Sequence, residues 1–500
     1  MSPSLDEFDR ALLDQVHPGD WTNPEPLDRY HLVVVGAGTG GLVSAAGAAA
    51  LGAKVALVER HLMGGDCLNV GCVPSKALLG AARAWRGAGH AASGYGGPPV
   101  AGPGDFEAAM RRMRRLRASL APHDGARRFA ELGVHVFLGQ GTFVAPDALE
   151  VDGRTLRFRR AVIATGARAA VPPIPGLAEA GYLTNETIFS LTELPESLAV
   201  IGAGPVGCEM AQAFARFGSR VSLFDGRDRI LPRDDPDAAD VVRLALARDG
   251  VDLHLGTRIL QMEREDGRTR VRYEREGREL SVTASHLLVA AGRAPNVEGL
   301  GLEAAGVAFD RSGVAIDDRM RTSNRRIYAV GDVAPLHKFT HAADAHARIV
   351  LANALFFGRS RVSRLVVPWC TYTSPELAHA GMSLAEAERT GSEVETITVP
   401  MSDVDRAVLD GEDEGFLRVH FAKGSGRILG ATLVAENAGD LIGELTLAIT
   451  TGASLGAIGR TIHPYPTRSE VIRKAADAWR RTKLTPRTRR VLSLVLRLLR

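Results

Sequence analysis

Two cysteines separated by four residues and followed by a lysine, in GGDCLNVGCVPSKALL, offer the clearest chemistry in this sequence. Cys67 and Cys72 at this spacing suit a dithiol that is reversibly oxidised, and Lys76 stands one helical turn beyond the second thiol. A zinc site would need two further ligands. The remaining cysteines, Cys208 and Cys370, lie in apolar contexts that suit packing, so no metal ligand set is expected. Four cysteines in 500 residues are too few for a secreted disulfide scaffold, and a reducing, cytoplasmic compartment is expected.

Two further stretches carry phosphate-binding chemistry. HLVVVGAGTGGLVSAAGAAALGAKVALVER reads as strand, glycine turn, helix and strand, with Gly36, Gly38 and Gly41 in the turn and Glu59 closing the second strand. SLAVIGAGPVGCEMAQAFARFGSRVSLFD repeats the pattern with Gly202, Gly204, Gly207 and Asp225. The first glycine permits a tight turn, the second lets a pyrophosphate approach the backbone, and the third lets helix pack on strand. The acid can then accept a hydrogen bond from a ribose hydroxyl. Two such units imply two dinucleotides. A carboxylate at Asp225 repels a 2′-phosphate and so favours NADH over NADPH, while Arg227 and Arg229 either face solvent or could hold that phosphate.

The elements that must position these groups are legible in outline. The segments ending in IATGARAAV, LLVAAGRAPN and YAVGDVAP read as returns of the chain to the first dinucleotide domain, with cofactor contacts expected at Thr165, Gly166, Gly292 and Asp332. From about residue 366 alternating strands and two helices indicate a separate α+β domain.

The dithiol segment resembles the active-site helix of the class I flavoprotein disulfide reductases, the group of glutathione reductase, lipoamide dehydrogenase and mercuric reductase. The resemblance runs from about residue 30 to 485. It implies an α/β fold of two Rossmann-like dinucleotide-binding domains, glutathione reductase-like, with a C-terminal α+β dimerisation domain, in a homodimer that uses FAD and NAD(P)H. The expected divisions are an extension at 1–28, the first part of the FAD-binding domain at 29–168, the NAD(P)-binding domain at 169–288 and a return to the FAD and central domain at 289–362. The dimerisation domain follows at 363–482, then a basic amphipathic tail at 483–500. By this resemblance Cys72 is the thiol against the flavin and Cys67 the interchange thiol that meets the acceptor. Lys76 pairs with Glu209 near flavin N5, and Asp332 meets the ribityl chain. The helix beginning FTHAADAHARIV aims its positive N-terminus, near Thr340 and His341, at the flavin.

The sequence departs from the glutathione and lipoamide enzymes at IHPYPTRSE. Those enzymes carry a histidine five residues before a glutamate as base for the partner's dithiol. Here the glutamate is Glu470 and the base position holds Tyr465, with His463 two residues earlier as a substitute base or a structural histidine. A phenol, with an ordinary pKa near 10, is a poor proton acceptor at neutral pH. Tyrosine at this place is similar to mercuric reductases, as are VPWCTYTSPE and DRAVLDGEDEGF, although vicinal C-terminal cysteines and an N-terminal CxxC module are both missing. The expected enzyme is therefore a mercuric-reductase-like oxidoreductase acting on a sulfur group, a metal ion or a related acceptor. An NAD(P)H quinone reductase, a dihydrolipoyl dehydrogenase and a low-turnover flavin redox sensor are the alternatives.

The composition excludes other classes. With 61 basic and 58 acidic residues the formal charge is +3, which gives no footprint for nucleic acid. The first 30 residues are acidic and polar and lack the pattern of a signal peptide. In RTRRVLSLVLRLLR, Arg490, Ser493, Arg497 and Arg500 fall on one helical stripe opposite a wide apolar face, which suits either peripheral membrane contact or packing on the dimer.

Overall fold

A computed structural model of the protein describes residues 5–99, 104–383, 385–386, 389 and 393–499. The chain divides into two compact units, one running up to Gly226 and resuming at Asp252–Leu365, the other comprising Arg227–Val251 and the residues from Val366 onward.

The first unit contains both βαβ patterns. Its larger sheet carries five parallel strands in the order Val134–Leu138, Val55–Glu59, Tyr30–Val35, Arg154–Ile163 and Ile327–Ala329. Where the strands pair in parallel, Leu32–Val35, Val55–Val58 and Ala161–Ile163 are apolar and buried, as expected for a sheet covered on each side. Their side chains feed two clusters, one around Leu32, Val34, Leu57 and Val162 and the other around Val33, Val35, Ala161 and Ile163. The return of the chain at Ile327–Ala329, which pairs with Ala161–Ile163, brings Asp332 and the helix Thr340–Leu355 to the mouth of the first glycine turn. A second parallel sheet joins Arg220–Asp225, Ser197–Ile201 and His286–Val289, and a three-stranded antiparallel meander over Arg258–Ala284 lies in the chain just before the last of these strands.

Among the described residues the extension before residue 29 begins with a helix packed into the core. Asp6 caps the helix Glu7–Val16, whose Leu12 and Val16 enter the core, and Arg117 donates to Asp9 at 2.7 Å. The second unit is built on a five-stranded antiparallel sheet, in the order Trp369–Thr371, Glu376–Gly381, Ile428–Ala435, Phe416–Ala422 and Val394–Pro400. The helices Ala438–Thr451 and Glu470–Thr482 cover it. Residues 227–251 cluster with the C-terminal unit because the helix Pro236–Arg248 packs on that sheet, and Arg418 pairs with Asp235 at 3.1 Å and with Asp237.

Candidate active site

The glycine turns show why side chains are excluded there. Gly36 and Gly202 have φ of +102° and +105°, a left-handed conformation that glycine tolerates. A Cβ on Gly41 would lie 1.8 Å from the Gly36 carbonyl oxygen, and one on Gly207 would lie 1.8 Å from that of Gly202. A Cβ on Gly204 would meet nothing within 4 Å and one on Gly38 would touch the Gly65 Cα at 3.8 Å; the two glycines stand at the N-termini of the helices Pro205–Phe217 and Thr39–Ala50, neither of which has a side-chain cap. The first-turn N–H groups of both helices are therefore presented to whatever anion enters. Glu59 accepts from the Ala37 N–H at 2.6 Å and from the His61 N–H at 2.8 Å, and burial holds its carboxyl above the usual range. Asp225 takes the Ala203 N–H at 2.8 Å in the same way. These two cradles fit a dinucleotide each.

The dithiol sits on a loop built for close approach. Gly64 and Gly65 have φ of +88° and +55°, and a Cβ on Gly65 would lie 2.6 Å from the Cα of Gly38, so the loop meets the first glycine turn backbone to backbone. Cys67 lies in the short helix Gly65–Asn69, and Cys72 is the first residue of the helix Cys72–Gly94. Between them Asn69 donates to the carbonyls of Met63 and Gly65, while its own carbonyl accepts from Arg117 at 2.8 Å. Arg117 thus ties the loop to Asp9 of the N-terminal extension.

Three groups act on Cys72. Its sulfur is hydrogen-bonded with Cys67, lies 3.3 Å from the Thr340 hydroxyl, and feels the Lys76 ammonium. Together they bring the thiol down from 9.0 to about 6, against the opposing effect of burial. Its place at a helix N-terminus favours the same charge. Cys67 is pushed up, first by its hydrogen bond to Cys72 and then by burial. In the reduced pair these effects favour the thiolate on Cys72 and the proton on Cys67.

Lys76 donates to Glu209 at 2.8 Å, and Glu209 is almost fully buried on the helix Pro205–Phe217. Thr340 opens the helix Thr340–Leu355, and His341 beside it is exposed, its ring stacked on Phe339 at 5.3 Å. Thr165 and Gly166 are held by Asn296, which donates to the Thr165 carbonyl at 2.9 Å and whose N–H reaches the Gly166 carbonyl at 3.0 Å. Gly292 has φ of +130°, and its carbonyl accepts from Ala170.

Sequence reasoning missed Arg293. Its guanidinium joins Asp332, at 3.1 Å, to Asp66 beside the dithiol, and donates to the Ala167 carbonyl at 2.6 Å. Burial raises the Asp332 carboxyl, and Arg293 opposes that rise. An arginine directly after the glycine of AAGR was the available signal, but it is one arginine among many.

In the second unit Tyr465 is exposed, and its hydroxyl donates to Asp405 at 2.8 Å. That hydrogen bond raises the phenol above its ordinary 10.0. His463 is buried against Glu444 at 3.0 Å, while Glu470 starts the helix Glu470–Thr482 and lies 3.4 Å from Lys474. Arg229 donates to the Pro232 carbonyl at 2.9 Å, and Arg227 is exposed. Cys208 is buried and its thiol donates to the Ala203 carbonyl at 3.4 Å, whereas Cys370 is half-buried beside Glu376.

Comparison with known proteins places this arrangement. Residues 30–348 match the model of the pyridine nucleotide-disulphide oxidoreductases, and residues 367–476 match that family's dimerisation domain, which supports a homodimer. A mercuric reductase of Streptomyces lividans is 37% identical over 457 residues, covering 90% of this chain and 96% of the relative. A dihydrolipoyl dehydrogenase of Thermus scotoductus is 35% identical over 471 residues, covering 90% and 98%. Among solved structures, the HOCl-induced flavoprotein disulfide reductase RclA of Escherichia coli superposes with a TM-score of 0.80 at 28% identity, covering 90% of this chain and 99% of that one. The chain belongs to the pyridine nucleotide-disulphide oxidoreductases, as a mercuric-reductase-like member of the class I flavoenzymes that use FAD and NAD(P)H.

Proposed function

We propose that this enzyme uses NADH to reduce a thiophilic acceptor, a soft metal ion or a related electrophile, at Cys67 and Cys72. The observation that carries the choice of acceptor is Tyr465, a phenol hydrogen-bonded to Asp405 where disulfide-reducing relatives carry a histidine base. Bound FAD would supply the two-electron relay between the nicotinamide and the dithiol. Gly36, Gly38, Gly41, Glu59, Thr165, Gly166, Gly292 and Asp332 would hold it. Gly202, Gly204, Gly207 and Asp225 would hold the nicotinamide nucleotide.

The chain's own residues then have separable tasks. Cys72 keeps the thiolate, held by Thr340 and Lys76. Cys67 keeps the proton and gives it up as it meets the acceptor. Glu209 fixes the Lys76 ammonium in place. The N-terminus of the helix Thr340–Leu355, with His341 on its first turn, adds partial positive charge. Two similar proteins agree with a metal acceptor, since RclA forms a Cu(II) complex and the Streptomyces relative is a mercuric reductase. The deciding experiment is a screen of mercuric ion, Cu(II), lipoamide, glutathione disulfide and menadione with each nicotinamide nucleotide. Lipoamide as the best acceptor would overturn the proposal. A quinone reductase remains the second reading, because it needs the flavin site and not the dithiol.

Two results are expected of the nucleotide sites. Gly41→Ala should purify with little flavin, read from visible absorbance, because its methyl group and the Gly36 carbonyl claim the same space. A yellow variant with full flavin content would sink the assignment of this turn. The unmodified enzyme should prefer NADH over NADPH by on the order of 1 to 3 kcal/mol in kcat/KM, since Asp225 disfavours a 2′-phosphate. A preference for NADPH would instead make Arg227 and Arg229 the phosphate clamp.

A further inference from the structure

The helix Pro486–Leu498 has no buried residue, although six of its thirteen residues are Val or Leu. Val491, Leu492, Val495, Leu496, Leu498 and Leu499 are each between 45% and 79% exposed. At 100° per residue they span one broad arc, and Arg489, Arg490, Ser493 and Arg497 occupy the opposite one. Arg500, which continues the polar arc in the sequence, lies outside the described residues. Thr485 caps the helix, accepting from the Thr488 N–H at 3.2 Å, so the element carries its own start signal. Among the described residues no helix is long and apolar enough to cross a membrane.

Charge decides what fits this face. From Ala478 to the C-terminus the sequence has eight basic residues and no acidic one. The whole chain carries only +3, so the remainder is net negative. A second copy of the helix would bring more positive charge and no counter-charge. An anionic bilayer supplies phosphate for the arginines and an acyl boundary for the leucines at once, and it repels the acidic remainder of the molecule. We propose that the helix Pro486–Leu498 lies in the interface of an anionic lipid membrane and holds the enzyme there as a peripheral protein. The proposal does not depend on the identity of the acceptor.

The test is co-sedimentation of the full-length holoenzyme with vesicles of phosphatidylglycerol and phosphatidylcholine in equal parts, beside vesicles of phosphatidylcholine alone. The protein should pellet with the mixed vesicles, stay largely in solution with the neutral ones, and be released by salt. Leu492→Asp and Val495→Asp change exposed positions, and each should weaken binding roughly tenfold or more, from the transfer free energy of one apolar side chain. Arg489→Gln with Arg497→Gln should remove the preference for the anionic vesicles. Equal pelleting of variant and unmodified protein, or equal binding to both vesicles, overturns the proposal. So does a wild-type protein that ignores vesicles while Leu492→Asp changes its oligomeric state by light scattering, which would make this face a contact between protein chains.

Discussion

Replacing Cys72 by serine is expected to lower reduction of a disulfide or a thiophilic metal ion by about 10³ or more, because a hydroxyl can neither form the thiolate nor be oxidised with Cys67. Menadione reduction should persist near the unmodified rate if quinones take electrons without the dithiol. The same variant should lose the long-wavelength absorption that a thiolate against flavin gives in the reduced holoenzyme. The pH behaviour of the unmodified dithiol form follows from the shifts of its two sulfurs. Cys72 is brought down to about 6, so its thiolate is present above that pH and is protonated as pH falls through it. Cys67 is shifted upward, so its proton stays on well above the ordinary thiol range. Ultraviolet thiolate absorbance, taken as the difference from a Cys67→Ser, Cys72→Ser double variant so that Cys208 and Cys370 cancel, should therefore rise by one equivalent near pH 6 and gain no second equivalent at pH 9. In Lys76→Met the rise should move to higher pH, because an ammonium that favours the anion has gone. A first equivalent that still titrates near pH 6 in Cys72→Ser would place the thiolate on Cys67 and reverse the two roles.

The parts of this site that the sequence announces are those encoded within one supersecondary unit. The turn glycines, Glu59 and Asp225 sit within single strand–turn–helix–strand runs, where steric need and spacing are local. Cys67, Cys72 and Lys76 likewise share one loop and one helix. The pairing of Lys76 with Glu209 came through the family resemblance, and the structure brings the two side chains together at 2.8 Å. What periodicity could not give are contacts among distant segments. Arg293 gathers Asp66 and Asp332, and Arg117 joins Asp9 to the carbonyl of Asn69. In a chain rich in arginine, with many exposed pairs such as Arg220 with Glu196, the place after the glycine of AAGR is the one weak mark that sets Arg293 apart, and Arg117 has none. The pairs of Arg418 with Asp235 and Asp237 join segments equally far apart in the chain.

Tyr465→His is expected to raise lipoamide turnover by about 10² to 10⁴, the usual contribution of a positioned general base. Dithiol exchange needs a group that takes the proton from the attacking thiol and returns one to the leaving sulfur. The phenol of Tyr465 fails at both, and its hydrogen bond to Asp405 makes it a weaker acid still. His463 is no evident replacement: Glu444 holds its Nε2 at 3.0 and 3.2 Å, and its other ring nitrogen, Nδ1, is buried away from solvent. An imidazole at position 465 would be exposed and close to Asp405, which can accept from one ring nitrogen and leave the other free as base. The gain should appear in kcat for lipoamide and follow a pH profile with a new ascending limb in the histidine range, while menadione turnover stays nearly constant. A metal-ion acceptor makes a smaller demand for proton shuttling, so its reduction should change far less than that of lipoamide. The unmodified enzyme must first be slow with lipoamide. Turnover above about 10 s⁻¹, which is typical of enzymes on their own substrates, would mean that some other group already serves as base. The assignment of a thiophilic metal or related electrophile over a disulfide would then fall with it.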